Sequence, residues 1–447
     1  MRRTLASLLL ISLSGCAYSF TPPVLAPATQ PSGAATGAAL PVPTTPRPNL
    51  DPRVTTTTMA SDAPVTILVS IDGFRPDYLD RGVTPRLSAL KSGGVSAAMR
   101  PSFPSLTFPN HWTLVTGLRP DRSGMVGNTF EDPRRPGQPF AKASDDPFWW
   151  SESEPLWATA ERAGIRSASM LWPGSNAPWG TVEKGDHGLW MGGIRPQDWQ
   201  QYNANLSATQ RVETVLDWMR RPAATRPRFV TLYFDSIDMA GHDVGPNDPR
   251  ITQAVGAIDR SIGTLVDGLR TLGIRANLVI VSDHGMAATS SSRSIPLDGL
   301  MPKAAFRTTE VGALGAIYPQ PGQDAIVAAA LLKKHDHMQC WRREAIPARF
   351  HYGRNPRVAP YICLADTGWR ITPTPPPAPR EGGDHGFDPS DPAMRALFIA
   401  NGPAFQPGRQ LPVFDNVDVA PLMRDLLGLP AGNGLDGTDA PFRKVMR

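Results

Sequence analysis

Seven polar residues, scattered along the chain, could together bind metal ions and carry out a hydrolysis. They are Asp72, Thr107, Asp238, His242, Asp283, His284 and His385. Carboxylates and imidazoles supply ligand atoms for divalent cations, and a threonine hydroxyl becomes a nucleophile when a cation activates it. The set therefore predicts a two-metal hydrolytic centre with a threonine nucleophile. A single Asp-His pair would predict much less, because it is more often a turn closed by the carboxylate.

These residues must be positioned by elements far apart in the sequence. Short apolar runs typical of buried strands alternate with segments of helical spacing. The predicted strands are Val65 to Ile71, Ser167 to Leu171, Phe229 to Phe234, Leu278 to Val281 and Leu397 to Ala400, and the predicted helices cover Val212 to Met219 and Ile251 to Leu269. This alternation predicts an α/β fold with a largely parallel central sheet and helices on both faces.

The acidic candidates come where the predicted strands end. Asp72 directly follows Ile71, Asp238 lies shortly after Phe234, and Asp283 lies just past the run ending at Val281. Ligands of open α/β sheets bind outside the carboxyl ends of the strands, so we expect the three side chains to converge there. Clustered carboxylates repel one another unless cations neutralise them. We therefore expect two divalent metal ions, and the share of histidine favours Zn²⁺ over Mn²⁺ or Fe.

Local spacing indicates how the ligands divide. Asp238 and His242 are four residues apart around Gly241, so a turn can bring both onto one ion. The adjacent Asp283 and His284 point to opposite sides of an extended segment and can serve two ions. His385 lies in a third glycine-containing loop.

Thr107 is the candidate nucleophile. Pro109 fits the first turn of a helix running to about Thr116, which places Thr107 at its amino end. Exposed amide groups and the helix dipole favour an anion there, either a phosphate or an alkoxide. The alternative is that Thr107 only caps the helix.

Five segments, taken together, resemble a known family. They are Ile71-Asp72-Gly73-Phe74-Arg75, Phe103-Pro104-Ser105-Leu106-Thr107-Phe108-Pro109-Asn110-His111, Trp172-Pro173-Gly174-Ser175, Asp283-His284-Gly285-Met286 and Asp384-His385-Gly386. In this order they resemble the nucleotide pyrophosphatase/phosphodiesterase family, the type I phosphodiesterases of the alkaline phosphatase superfamily. The resemblance covers nearly all of the chain from Val65 onward and implies an alkaline-phosphatase-like fold.

The resemblance also implies a role for each site residue. One zinc ion would be held by Asp238, His242 and His385, and a second by Asp72, Asp283 and His284 with Thr107 as the nucleophile. Asn128 would bind a phosphoryl oxygen, and Phe108 and Tyr233 would sandwich a nucleobase. The chain departs from the family in having Ser236-Ile237 where Glu-Pro is usual. Asp235 lies close to the ligand position, but the spacing to His242 selects Asp238, and His111 is interpreted as structural.

The resulting hypothesis is zinc-dependent hydrolysis of nucleotide phosphodiester or pyrophosphate bonds. A covalent phosphothreonine intermediate would form on Thr107, and nucleoside 5′-monophosphates would be released. Asn128 and the backbone amide of Phe108 would hold the phosphoryl oxygens. The alternatives are a phospholipid-head-group or glycerophosphodiester phosphodiesterase on the same scaffold, a phosphomonoesterase, and a non-catalytic, metal-stabilised surface binding protein.

The amino-terminal residues predict export and membrane attachment. Arg2 and Arg3 precede an apolar stretch and the sequence Leu13-Ser14-Gly15-Cys16, which is typical of a bacterial lipoprotein signal. We expect residues 1–16 to form this signal, with Cys16 acylated and the protein anchored to the cell envelope at the periplasmic face or the outer membrane. Residues 17–63 are rich in Pro, Ala and Thr and are interpreted as a disordered tether.

Residues 64–447 are predicted to form a single catalytic α/β domain that acts on a small phosphodiester or nucleotide. The formal net charge of +5 is small, and the chain lacks a run of basic residues, so specific nucleic-acid binding is not expected. In an exported protein the two remaining cysteines, Cys340 and Cys363, predict one disulfide, with two buried free thiols as the alternative.

Overall fold

The computed structural model describes residues 63–142 and 144–447. The expectations for the signal, for Cys16 and for the tether fall on residues 1–62 and so lie outside the described residues. None of the described helices is both long enough and apolar enough to cross a membrane.

Helices and strands alternate along the described part of the chain. The strands are β1 (Val65–Ile71), β2 (Val95–Arg100), β3 (Ser167–Met170), β4 (Trp179–Lys184), β5 (Trp190–Ile194), β6 (Asp198–Gln200), β7 (Phe229–Phe234), β8 (Ala276–Val281), β9 (Ala287–Ser290), β10 (Ser294–Pro296), β11 (Phe306–Glu310), β12 (Leu314–Pro319), β13 (Met338–Arg342), β14 (Tyr361–Ala365), β15 (Arg370–Thr372), β16 (Glu381–Asp384), β17 (Ala396–Asn401), β18 (Arg409–Gln410) and β19 (Phe414–Asp415). The helices are α1 (Pro85–Ser92), α2 (Thr107–Thr116), α3 (Pro120–Ser123), α4 (Pro147–Trp150), α5 (Leu156–Arg162), α6 (Ala208–Arg220), α7 (Ser236–Val244), α8 (Pro249–Thr271), α9 (Asp324–Leu331) and α10 (Val419–Leu427).

A large sheet at the centre carries the predicted strands. Its strand order is β18-β2-β17-β8-β1-β7-β3-β6, with β19 also paired to β2. The neighbours β8, β1, β7, β3 and β6 run parallel, whereas β17 is antiparallel to both β8 and β2. The predicted α/β class with a largely parallel sheet is therefore confirmed.

Two apolar layers cover this sheet. Along β1, Leu68 packs into the layer that contains α2, α5 and α10, while its neighbours Ile67 and Val69 pack into the layer that contains α1, α6 and α8. A strand that is buried on both faces has apolar residues at nearly every position, which explains why β1 and β7 are almost continuously apolar. The predicted stripe on α8, from Ile251 to Leu269, is buried against the sheet.

A second, antiparallel sheet has the order β11-β12-β14-β13. Cys340 on β13 lies directly opposite Cys363 on β14, and the two form a disulfide. A separate antiparallel pair, β9 with β16, sets Ala287 opposite Asp384. This pair matters for the site because His284 precedes β9 and His385 follows β16.

Candidate active site and metal centre

The seven polar candidates meet at the carboxyl ends of the central strands. Asp72 follows β1, the Asp283-His284 pair follows β8, and Thr107 is the first residue of α2. Asp238 and His242 lie on α7, which begins directly after β7, and His385 follows β16. The position of α7 depends on Gly73, whose φ is +68° and whose added Cβ would lie 3.1 Å from the Cα of Asp238.

One group of ligand atoms centres on two histidines. The Nε2 atoms of His242 and His385 are 3.0 Å apart. A carboxylate oxygen of Asp238 lies 3.4 Å from Nε2 of His242, and the other lies 3.5 Å from Nε2 of His385. Two side chains of α7 and one from the loop after β16 thus present ligand atoms to one small volume.

A second group centres on His284. Its Nε2 lies 2.9 Å from Oδ2 of Asp283 and 3.4 Å from Oδ1 of Asp72. The hydroxyl of Thr107 is 3.3 Å from the same nitrogen. The imidazoles of His284 and His385 stack with their ring centroids 3.5 Å apart, so the two groups are adjacent.

The donor set fits two divalent cations. In each of His242, His284 and His385 the Nδ1 atom lies 2.9 to 3.0 Å from a backbone carbonyl oxygen, those of Gly383, Gly285 and Ser105. A neutral ring in this arrangement carries its proton on Nδ1 and offers the Nε2 lone pair to a metal. Within the described residues, buried carboxylate oxygens also lack a hydrogen-bond donor, namely Asp72 Oδ1, Asp238 Oδ1 and Asp283 Oδ2. Cations would satisfy these oxygens and the facing lone pairs together.

Burial dominates the electrostatics of the cluster. It raises the pKa of Asp72 well above the usual value, and the charges of Asp283 and Asp238 raise it further. Burial also opposes ionisation of Asp283, but the neighbouring His284 and His111 outweigh it and lower its pKa. The pKa of His385 is lowered, first by burial and then by the charge of His284. Against the effect of burial, the pKa of His284 is raised, mainly by the charge of Asp283, so the ionisation states of these buried groups depend on one another.

His111 is close to the ligands but has no free nitrogen. Its Nδ1 donates to the carbonyl of Thr107 at 2.9 Å, and its Nε2 accepts from the hydroxyl of Ser70 at 2.8 Å. Proximity alone would group His111 with Asp72 and Asp283, and His284 with Asp238 and His385. The hydrogen bonds of His111 favour a structural role, because they orient the carbonyl at the start of α2.

The phosphoryl-binding candidates also lie at the start of α2. The side-chain oxygen of Asn128 accepts the backbone N–H of Phe108 at 3.0 Å, and its Nδ2 group donates no hydrogen bond to another described residue. In this structure the Phe108 amide donates to Asn128, and its expected contact with a phosphoryl oxygen stays a prediction. The half-buried Phe108 ring packs against Phe140, with 5.5 Å between ring centroids.

Tyr233 supports a ligand directly. The residue is 6% exposed, and its hydroxyl donates to Oδ2 of Asp72 at 2.6 Å. Its ring meets His111 edge-on at 5.0 Å. The hydrogen bond to Asp72 was not anticipated from the sequence, and the position of Tyr233 beside a nucleobase stays a prediction.

Two further acidic residues lie near the site, and within the described structure their side chains make no hydrogen bond to the proposed metal ligands. Asp235 is held by Arg211 at 3.0 Å and by the hydroxyl of Tyr202 at 2.6 Å, so it lies outside the ligand groups. Glu310 accepts the backbone N–H groups of Asn128 and Thr129. Nothing in the sequence around Glu310 signals this contact, since its partners are more than 180 residues away.

Comparison with known proteins gives a consistent picture. The profile of the type I phosphodiesterase / nucleotide pyrophosphatase family matches residues 66–388. A pyrophosphatase/phosphodiesterase of Schizosaccharomyces pombe, itself uncharacterized, is 35% identical over 85% of this chain and 80% of its own length. Bis(5′-adenosyl)-triphosphatase of Bos taurus is 35% identical over 83% of this chain and 79% of its own. Murine ectonucleotide pyrophosphatase/phosphodiesterase 5, an inactive threonine-to-alanine variant in complex with AMP, matches with a TM-score of 0.79 at 30% identity, covering 86% of this chain and 100% of that one.

Proposed function

Because the chain belongs to the type I phosphodiesterase / nucleotide pyrophosphatase family of hydrolases, we propose that it cleaves nucleotide phosphodiester or pyrophosphate bonds through a covalent intermediate on Thr107. The observation that carries this proposal is the position of the Thr107 hydroxyl, 3.3 Å from Nε2 of His284 at the amino end of α2. A threonine that only capped the helix would precede its first turn. Here Leu106 occupies that position, and Thr107 faces the ligands.

Two divalent cations, with Zn²⁺ favoured, would be held by the two groups of ligands. Asp238, His242 and His385 form one group, and Asp72, Asp283 and His284 form the other beside Thr107. Bound there, cations would lower the pKa of the threonine hydroxyl and neutralise charge on the phosphoryl oxygens. The resemblance supports this division, as do the distances from Nε2 of His284 to Asp283 (2.9 Å) and to Asp72 (3.4 Å).

The chain's own residues account for the remaining chemistry. The hydroxyl of Thr107 gives its proton to solvent water and attacks phosphorus, the bond from phosphorus to the leaving oxygen breaks with its electron pair on that oxygen, and a nucleotidyl ester of Thr107 forms. Water then adds its hydroxyl to phosphorus, the bond from phosphorus to the Thr107 oxygen breaks, that oxygen takes up a proton, and a nucleoside 5′-monophosphate is released. The Nδ2 group of Asn128 donates to a phosphoryl oxygen, where charge grows in the transition state.

Nucleotide substrates are favoured over lipid head groups by the relatives. The bovine relative is a bis(5′-adenosyl)-triphosphatase, and the murine relative forms a complex with AMP. In this chain Phe108 directly follows the nucleophile, and its half-buried ring offers a face for stacking a nucleobase. We extend the nucleotide preference to this protein on that basis.

The amino-terminal sequence adds a proposal about location. We propose that Cys16 is acylated and anchors the catalytic part to the cell envelope. Growth with a labelled fatty acid should label the wild-type protein and leave Cys16→Ser unlabelled. Equal labelling of both proteins would contradict the anchor.

One experiment tests the catalytic proposal. The wild-type protein and Thr107→Ala are assayed with p-nitrophenyl thymidine 5′-monophosphate, bis-p-nitrophenyl phosphate and p-nitrophenyl phosphate, each with and without a chelator. We expect the nucleotide diester to react fastest, the chelator to abolish activity, and Thr107→Ala to lose at least about a thousandfold in kcat. A preference for the monoester, or an active Thr107→Ala with normal metal content, would overturn it.

A further inference from the structure

Glu310 is connected to the nucleophile through two contacts. Its Oε2 accepts the backbone N–H of Asn128 and that of Thr129, both at 3.2 Å. The side-chain oxygen of Asn128 in turn accepts the N–H of Phe108, the residue after Thr107. A carboxylate on the second sheet thus holds the loop that presents the phosphoryl-binding amide.

A bulge in β11 places this carboxylate. In the pairing of β11 with β12, Thr308 lies opposite Ile317 and Glu310 opposite Ala316, so Thr309 is an extra residue. An extra residue changes the face to which the following side chain points, and bulges commonly redirect side chains near active sites. The Glu310 carboxylate also lies close to Gly127, whose added Cβ would be 3.8 Å from Oε2. The backbone irregularity and the close packing both direct Glu310 at the Asn128 loop.

We propose that Glu310 is a positioning residue for phosphoryl transfer, which acts by fixing Asn128 so that its Nδ2 group meets the phosphoryl oxygen beside Thr107. This inference rests on the proposed phosphodiesterase function. The Phe108 amide donates to the side-chain oxygen of Asn128 and Glu310 accepts its backbone N–H, so both contacts favour one orientation of this side chain. A donor fixed in advance needs no reorganisation as the reaction proceeds, which is the basis of electrostatic stabilisation.

The surroundings of Glu310 affect its charge near neutral pH. Burial raises its pKa to about 7, the charge of Lys142 and the two amide hydrogen bonds oppose this rise, and the charge of Asp384 adds to it. The phenol of Tyr352 has a raised pKa to which Glu310 contributes. Tyr318 and the guanidinium of Arg357 line the same small cavity.

The test is a double-mutant cycle between Glu310→Ala and Asn128→Ala, with p-nitrophenyl thymidine 5′-monophosphate as substrate. We expect Glu310→Ala to lower kcat about 10- to 100-fold with KM changed less than about threefold, because a transition-state contact is weakened. In the Asn128→Ala background the same change should lower kcat by less than about twofold, since the two residues act through one donor. Equal losses in both backgrounds would overturn the proposal.

Glu310→Gln keeps the shape and an accepting oxygen, so it should fold and retain most of the activity. The ratio of wild-type to Glu310→Gln activity should rise from pH 6 to pH 8, because only the carboxylate gains charge as an acceptor. A ratio that does not change with pH would contradict the role of the carboxylate. Glu131→Ala is the matched control, since Glu131 pairs with Arg307 of β11 and makes no side-chain hydrogen bond to Asn128 in the described part of the chain. It should leave kcat within about twofold of wild type.

Hydrogen exchange gives a readout that does not require activity. The amides of Asn128 and Thr129 should exchange faster in Glu310→Ala than in wild type and should remain protected in Glu131→Ala. If wild type hydrolysed no diester, the proposed function would fail while the exchange data still decided whether Glu310 fixes the loop. Unchanged exchange in Glu310→Ala would overturn the positioning role, even in an active enzyme.

Discussion

The Nε2 atoms of His242 and His385 face each other at 3.0 Å, although both rings are oriented to carry their protons on Nδ1. Two lone pairs at this distance repel each other unless a cation lies between the rings and the nearby Asp238. The relationship therefore points to a metal site without reference to any relative.

His385→Ala should remove metal and activity together. Loss of one of three ligands is expected to lower metal affinity and kcat by at least about 100-fold, more than the usual effect of a supporting residue. Elemental analysis of the purified protein and the diesterase assay measure the two effects. His337→Ala is the control, because His337 pairs with Asp366 and stacks on Trp369 outside the site. Full metal content in His385→Ala would contradict the ligand assignment.

Tyr233→Phe should weaken metal binding without unfolding the protein. The change deletes the 2.6 Å hydrogen bond to Asp72 and leaves the buried ring in place. Loss of a residue that hydrogen-bonds to a metal ligand usually lowers metal affinity about 10- to 100-fold. Competition with a chelator should therefore show a loss of metal affinity in that range. Tyr78→Phe is the matched control, since its hydroxyl is also buried but has no hydrogen-bond partner among the described residues. Equal metal affinity in all three proteins would refute the supporting role.

Phe108→Ala should reduce the preference of the enzyme for nucleotide substrates over substrates without a base. Stacking on an aromatic ring is worth about 1 to 3 kcal/mol per base, so kcat/KM for p-nitrophenyl thymidine 5′-monophosphate should fall about 5- to 150-fold. Methyl p-nitrophenyl phosphate, which has no base, should change less than about threefold if only the stacking is lost. Phe108→Tyr keeps the ring and should behave as wild type. If kcat/KM fell equally for both substrates, Phe108 would act on the phosphoryl group and would not stack on the base.

Glu310→Gln should stabilise the protein at alkaline pH but not at acidic pH. The folded-state pKa of Glu310 is raised from the usual 4.5 to about 7, so its contribution to stability is present below 4.5 and is lost as the pH rises through 7. Because glutamine does not ionise, the substitution should raise the free energy of unfolding at pH 8 by up to about 3 kcal/mol relative to wild type. Chemical denaturation of both proteins at pH 4.5 and pH 8 measures it. A difference of the same size at both pH values would be inconsistent with titration of Glu310.

Sequence reasoning succeeded where local pattern determines structure. The bounds of β1 and β7 match the apolar runs, and the strand-end rule brought Asp72 and Asp283 together. It did not give the direction of β17, because an apolar run does not encode whether its neighbours are parallel. The hydrogen bonds that join Glu310 to the amide of Asn128, and the Phe108 amide to the side chain of Asn128, were also not anticipated. They depend on a bulge and on a contact between distant segments, neither of which leaves a periodic signal.

The pairing of β9 with β16 has a consequence for how such a site tolerates change. His284 lies just before one strand and His385 just after the other, with Ala287 opposite Asp384. The spacing of these two ligands is therefore set by a short ladder of backbone hydrogen bonds, and it does not depend on the length of the chain that joins the strands. Apart from β11, whose Glu310 contacts the Asn128 loop, the segment between them can be lengthened, shortened or exchanged while the ladder keeps both imidazoles in register. The ladder thus separates the part of the protein that must stay constant for chemistry from a part that is free to diversify.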